Sequence, residues 1–119
     1  MKYTDLNVWN KSVDLAVKIY SLVKKLPPEE KYDMSSQMRR AAISIPSNIA
    51  EGYGRSTTKE YVHFLAISRG SLFELETQLR VCIKIGYIDE NDTKEIFALS
   101  EEINRILSSM ITKLPKANT

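Results

Sequence analysis

Apolar residues spaced three and four apart run through four separate stretches of this chain, and proline or glycine closes each stretch. That spacing is the period of an α-helix with one buried face, and it departs from the two-residue alternation of a half-buried strand. In the first stretch, about residues 5–26, Leu6, Trp9, Val13, Ala16, Tyr20 and Val23 form an apolar seam. Pro27-Pro28 stops it, because proline lacks a backbone donor and disfavours helix in the residue before it. The second covers about residues 34–53, with Asp33 as N-cap and Met34, Met38, Ala41, Ala42, Ile45 and Ile49 on one face. Pro46 inside it predicts a kink, and Gly52 and Gly54 predict a left-handed stop.

The third stretch covers about residues 58–85, with Tyr61, Leu65, Ser68, Leu72, Leu75, Leu79 and Cys82 in a heptad seam. Thr57 and Glu60 predict a reciprocal capping box at its start, and Gly86 ends it. Gly70, in the middle, costs about 1 kcal/mol relative to alanine and predicts a close helix–helix approach. The fourth covers about residues 92–114, with Ile96, Leu99, Ile103, Ile106, Met110 and Leu114 on its seam. Asp92 and Glu95 suggest its cap, Pro115 its end, and Lys116 to Thr119 a frayed tail.

Short connectors make successive helices antiparallel neighbours, so the fold class is all-α, an antiparallel up-down-up-down four-helix bundle. At 119 residues the chain has room for one such domain, spanning residues 1–119. One seam per helix fills a four-helix core, yet apolar residues remain. These are Val8, Leu15, Ile19 and Leu22 on helix 1, and Ile43 and Ala50 on helix 2. Val62, Ile67, Phe73 and Ile85 follow on helix 3, and Phe97 and Ile111 on helix 4. Broad core-facing stripes absorb some of them; the others are candidates for a self-association surface.

On the second helix, Gln37, Arg40, Ser44, Ser47 and Glu51 form a polar stripe beside the core seam, with Asn48 at its edge and Arg39 and Ile43 pointing elsewhere. Glu74 and Glu76 on the third helix are natural partners for Arg39 or Arg40. The simpler reading is a structural polar network joining the two helices; the other is a binding site for a phosphate or a partner chain.

Signals for catalysis are sparse. One Cys excludes an internal disulfide and a Cys-rich zinc site, and one His excludes a multi-His metal centre. Cys82 falls on a core seam, Ser44 and Ser47 have no His base at helical spacing, and Glu-x-x-His of the di-iron bundles does not occur. Gly52-Tyr53-Gly54 follows a helix rather than a strand and reads as a cap, not a phosphate loop. An enzyme would need His63 in a pocket with convergent carboxylates. No catalytic residue, metal ligand or cofactor is expected.

The N-terminus carries no uninterrupted apolar stretch of signal-peptide length, and no run of about 18 apolar residues occurs. The expectation is therefore a cytoplasmic protein without membrane partners, and the sequons at Asn10 and Asn91 are chance matches. The net charge of +2 is unevenly spread: +2 over residues 1–54, +2 over 55–88 and −2 over 89–119. Lys24, Lys25, Arg39, Arg40, Arg55 and Lys59 are candidates for a basic surface facing a nucleic-acid backbone, which repetition in an oligomer would strengthen. The sequence suggests no aromatic stacking platform.

The run from Gln37 through Arg39-Arg40-Ala41-Ala42 to Asn48-Ile49-Ala50-Glu51-Gly52 resembles the family of four-helix-bundle proteins encoded within intervening sequences of bacterial 23S rRNA genes. Leu6-Asn7-Val8-Trp9, Gly70 to Glu76 and Gly86-Tyr87-Ile88 are similar to the same family, in the same order. Ser47 and Arg69 stand where the family more often has alanine and small residues. The resemblance implies an antiparallel bundle, a homopentameric ring, and nucleic-acid association like that of related accessory proteins of diversity-generating retroelements. It implies no catalytic residue. Its signature positions are Arg39, Arg40, Asn48 and Glu51. The function expected is a non-catalytic homo-oligomeric scaffold that binds RNA or DNA; the alternative is an adaptor for a protein partner with no nucleic-acid role.

Overall fold

The computed structural model describes residues 1–114, so the expected stop at Pro115 and the tail Lys116 to Thr119 lie outside the described residues. Four helices, α1 (Asn7–Leu22), α2 (Met34–Tyr53), α3 (Thr58–Ile85) and α4 (Glu90–Lys113), are joined end to end, with short 3-10 turns at Tyr3–Asp5, Val23–Lys25 and Pro28–Glu30. Each helix packs on its sequence neighbours, α1 closes on α4, and the diagonal pairs do not touch. The result is an all-α, up-down-up-down bundle whose longest dimension, 48 Å, is set by α3. Among the described residues no helix is long and apolar enough to cross a membrane.

The core runs along the bundle axis through Leu15, Ile19, Met38, Ile45, Ile49, Leu65, Leu72, Leu75, Leu79, Ile103 and Leu107, all fully buried. Helices α2 and α3 begin and end where the pattern predicts. The face of α1 matches the expected seam only in part: Ala16, and Val23 just past its end, are buried as expected. Val8, Ser12, Leu15, Ile19 and Leu22 are buried, whereas Trp9 and Val13 are half-buried and Tyr20 is exposed. Both rows have helical spacing. Ser12 obscures the true one, and it is tolerated inside because its hydroxyl donates to the Val8 carbonyl at 2.7 Å.

The caps also refine the expectation. α4 starts two residues before the expected Asp92, at Glu90. The Asp89 side chain accepts from Asp92 N–H at 2.9 Å, and the Asp92 side chain accepts from Asp89 N–H at 3.0 Å. The Thr57 box is only half reciprocal: Glu60 N–H donates to Thr57 Oγ1, but the Glu60 carboxylate takes the Thr57 hydroxyl rather than its N–H. Gly86 ends α3 at φ 97°, the left-handed conformation that glycine accepts without strain.

Gly52 has a different role from the left-handed stop expected of it. It is buried within α2, and a Cβ built there would lie 2.8 Å from Phe64 Cβ and 3.0 Å from the Tyr61 ring. The close helix approach expected at Gly70 therefore occurs at Gly52 instead; a Cβ at Gly70 meets nothing within 4 Å. Gly54 caps α2 in a right-handed conformation. Pro46 is buried, and α2 continues through it without a break.

Candidate partner and nucleic-acid surfaces

The polar stripe of α2 faces α3. The Ser44 and Ser71 hydroxyls are 2.8 Å apart, and Asn48 Nδ2 donates to the Ser44 carbonyl at 2.8 Å and to its hydroxyl at 2.9 Å. Deeper in the seam, the Ser68 hydroxyl donates to the Ile45 carbonyl at 2.8 Å. Gln37 is tied to Asp33 of its own helix start, and Glu51 pairs with Arg55 at 2.9 Å. Gln37, Arg40, Ala41, Ser44, Ser71 and Glu74 line an open groove of about 310 Å³.

The expected arginine–glutamate pairing across this seam is not formed. Arg39 donates to the Lys31 carbonyl at 3.3 Å, and Arg40 makes no ion pair among the described residues. Glu76 faces α4 and accepts the Ser100 hydroxyl, while Glu74 shares the groove with Arg40 beyond ion-pair distance. Two residues along a helix turn a side chain by about 200°, which separates Glu74 from Glu76 onto different neighbours. Small hydroxyl and amide groups therefore join α2 to α3. Ser71 is the partner that residue pattern alone missed, since a serine beside a leucine seam carries no distinguishing signal.

The six candidate basic residues do not form one surface. Arg39 and Arg55 are sixteen residues apart on or beside α2, or about 24 Å along the axis. Lys24, Lys25, Arg39 and Arg40 lie toward the end that holds the α1–α2 connector; Arg55 and Lys59 lie at the α2–α3 turn. Lys25 is paired with Asp92 at 2.5 Å, which raises the Lys25 pKa and, together with the Asp89 backbone N–H, lowers that of Asp92. Arg55 lies within reach of Glu51 and Glu60, and its guanidinium stacks 4.6 Å over the Phe64 ring. Lys24 and Arg39 instead meet around one cleft of about 350 Å³ beside the connector, together with Lys31, Tyr20 and Ser35. Sequence reading missed Lys31 because it sits among Glu29, Glu30 and Asp33, where local charge looks acidic.

Two sets of apolar side chains face outward. On α3, Ile67, Phe73, Val81 and Ile85 are exposed, Phe73 by 46% and Ile85 by 56%, and exposed Ala66 and Gly70 lie between them. On α1, diagonally across the bundle from α3, Val17 and Tyr20 are exposed, and Ile43 is exposed on the intervening α2. By contrast Val8, Leu15, Ile19 and Leu22, which pattern left outside the core seam, are core residues. Phe97 and Ile111 are half-buried against the core. His63 is exposed at the start of α3, edge-on to Phe64 at 5.5 Å, with no hydrogen bond or ion pair among the described residues. Burial pushes the Cys82 thiol pKa up, which favours its protonated form.

A short antiparallel bundle with a serine- and asparagine-lined α2–α3 seam defines a class of small helical proteins. Within that class, the chain belongs to the 23S rRNA-intervening sequence protein family, whose model matches residues 4–109. The chain is similar to a crystal structure of a protein with unknown function from the S23 ribosomal protein family of Bacteroides thetaiotaomicron, with 34% identity and a TM-score of 0.82. That match covers 89% of this chain and 99% of the other. No curated protein matches the chain. The family is one without an established activity.

Proposed function

We propose that the protein is a non-catalytic scaffold that assembles head to tail into a closed homo-oligomer, and that the assembly associates with nucleic acid through repeated basic surfaces. One observation carries the reading: exposed apolar residues lie on diagonally opposite helices, Ile67, Phe73, Val81 and Ile85 on α3 and Val17 on α1, with Ile43 exposed on the intervening α2. A two-fold dimer uses one self-complementary patch, whereas a ring needs two different patches that meet between successive copies. Gly70 supports the same reading. It is exposed in the middle of a 28-residue helix with open space beyond it, where a neighbouring chain could approach closely. The family resemblance points to five copies. The net charge of +2 per chain gives a pentamer a field that one copy lacks.

The test is mass in solution. Light scattering at micromolar concentration should give about five times the 13.6 kDa of one chain. Phe73→Glu on α3 and Val17→Glu on α1 should each give monomers. A mixture of the two variants should give dimers, because each retains the patch the other lacks. A wild-type monomer would overturn the scaffold and favour the adaptor for a different protein. RNA affinity should fall steeply between low and moderate salt; affinity independent of salt would remove the phosphate-backbone mode.

A further inference from the structure

The cleft beside the α1–α2 connector has the chemistry of a small-anion site with an apolar wall. Lys24, Lys31 and Arg39 line it, and none of the three is in an ion pair among the described residues. No carboxylate lines it. The acidic residues nearby in sequence are turned to other partners. Glu30 accepts from Met34 N–H at 3.3 Å and from the Tyr87 hydroxyl at 2.7 Å, and Asp33 accepts from Gln37 at 2.9 Å. Glu29 is exposed on the Pro28–Glu30 turn and is not part of the lining. The Arg39 guanidinium is held in place by the Lys31 carbonyl.

Two further observations narrow the ligand. Ser35 lines the cleft within the first turn of α2, is only 4% exposed, and its hydroxyl has no hydrogen-bond partner among the described residues. A hydroxyl there, beside the positive end of a 20-residue helix, suits a phosphate oxygen. Tyr20 and the rigid Pro27-Pro28 corner also line the cleft, and the ring of Tyr20 is of the kind on which a planar ring stacks. The Lys31 ammonium stands 5.3 Å over the ring of Tyr32, whose side chain is also exposed.

We infer that this cleft binds a nucleoside 5′-phosphate unit, with Lys24, Lys31, Arg39 and Ser35 on the phosphate and Tyr20 against the base. The unit can be a free mononucleotide or one residue of a single strand. The strand form deepens the nucleic-acid half of the proposed function and rests on it.

Titration calorimetry on the full chain with 5′-AMP, inorganic phosphate, adenosine and a short single-stranded RNA tests this. AMP should bind more tightly than either phosphate or adenosine. Lys31→Gln and Arg39→Gln should each weaken AMP about tenfold, Tyr20→Ser several-fold, and Lys113→Gln at the far end not at all. Phosphate binding as tightly as AMP would reject the nucleotide assignment. AMP that fails to bind, or binds a Lys24→Gln/Lys31→Gln/Arg39→Gln variant equally well, would overturn the site. If RNA still binds that triple variant with full affinity, the strand form is rejected while the nucleic-acid reading stands. If AMP binds at the cleft and RNA does not, the cleft is upheld for free nucleotides and the nucleic-acid reading fails.

Discussion

The two long seams that flank α3 and α1 are built on opposite principles. Between α2 and α3, small residues bring the backbones together: Gly52 abuts Phe64 and Tyr61, and Ser44, Ser68 and Ser71 bond across or into the partner helix. Between α1 and α4, lysines at seven-residue spacing reach outward to acids. Lys11 meets Glu102 at 2.9 Å, Lys18 meets Glu95 at 3.4 Å, and Lys25 meets Asp92 at 2.5 Å. Where Gly52 abuts Phe64 and Tyr61 the first seam has no room for an added methyl, so it is intolerant of change there. The second sits at the solvent boundary, where long side chains readjust and ion pairs are worth little individually.

Substitutions can break that contrast in order of size. Leu72→Ala, in the fully buried row of α3, should cost about 2–5 kcal/mol in denaturant unfolding and sets the upper scale. Gly52→Ala should cost about 1–3 kcal/mol, because the added methyl meets a Cβ that cannot rotate away. A neutral result would show that the α2–α3 seam is looser than its geometry. Ser44→Ala should cost about 1 kcal/mol, since the Ser71 hydroxyl and Asn48 amide both lose a partner. Lys18→Ala should cost less than about 0.5 kcal/mol and lose even that in molar salt; a larger effect would mean the α1–α4 ladder acts as one network.

The smallest effect is a pH dependence at Lys25–Asp92. The Asp92 pKa is lowered in the folded chain, so its stabilising contribution is full above the ordinary carboxylate value and is lost as pH falls through the lowered one. The Lys25 pKa is raised, so its contribution is full below the ordinary lysine value and is lost as pH rises through the raised one. Asp92→Asn should flatten the acid limb of the stability–pH curve attributable to this pair.

The same contrast explains what could be read from sequence. α1 ends at Leu22 and gives way to a 3-10 turn at Val23–Lys25, before the expected stop at Pro27-Pro28, whereas boundaries of α3 were legible because Thr57 and Gly86 punctuate the chain with specific backbone chemistry. The face of α1 was not, because Trp9, Val13 and Tyr20 give as good a helical row as Leu15, Ile19 and Leu22, and only the packed neighbours decide between them. Arg39, a signature position, and Glu76, an expected partner for it, were legible as polar positions but not as to partner, since rotation by one residue exchanges one neighbouring helix for another. The cleft was half legible. Lys24 and Arg39 stood out as basic, whereas Lys31 and Ser35 join them only once the connector folds back over the start of α2.

The tight α2–α3 seam also has a consequence in time. Its two helices are joined by four residues, 54–57, and share the most extensive packing in the bundle. The α3–α4 link, residues 86–89, is as short, so it is the denser packing that makes this hairpin the natural nucleus on which α1 and α4 condense. A lesion at Gly52 would therefore register as slow folding, and one at Lys18 as fast unfolding. During synthesis the nucleus is complete once Ile85 has emerged, before α4 is made, which leaves α1 waiting for the template that α2 and α3 provide.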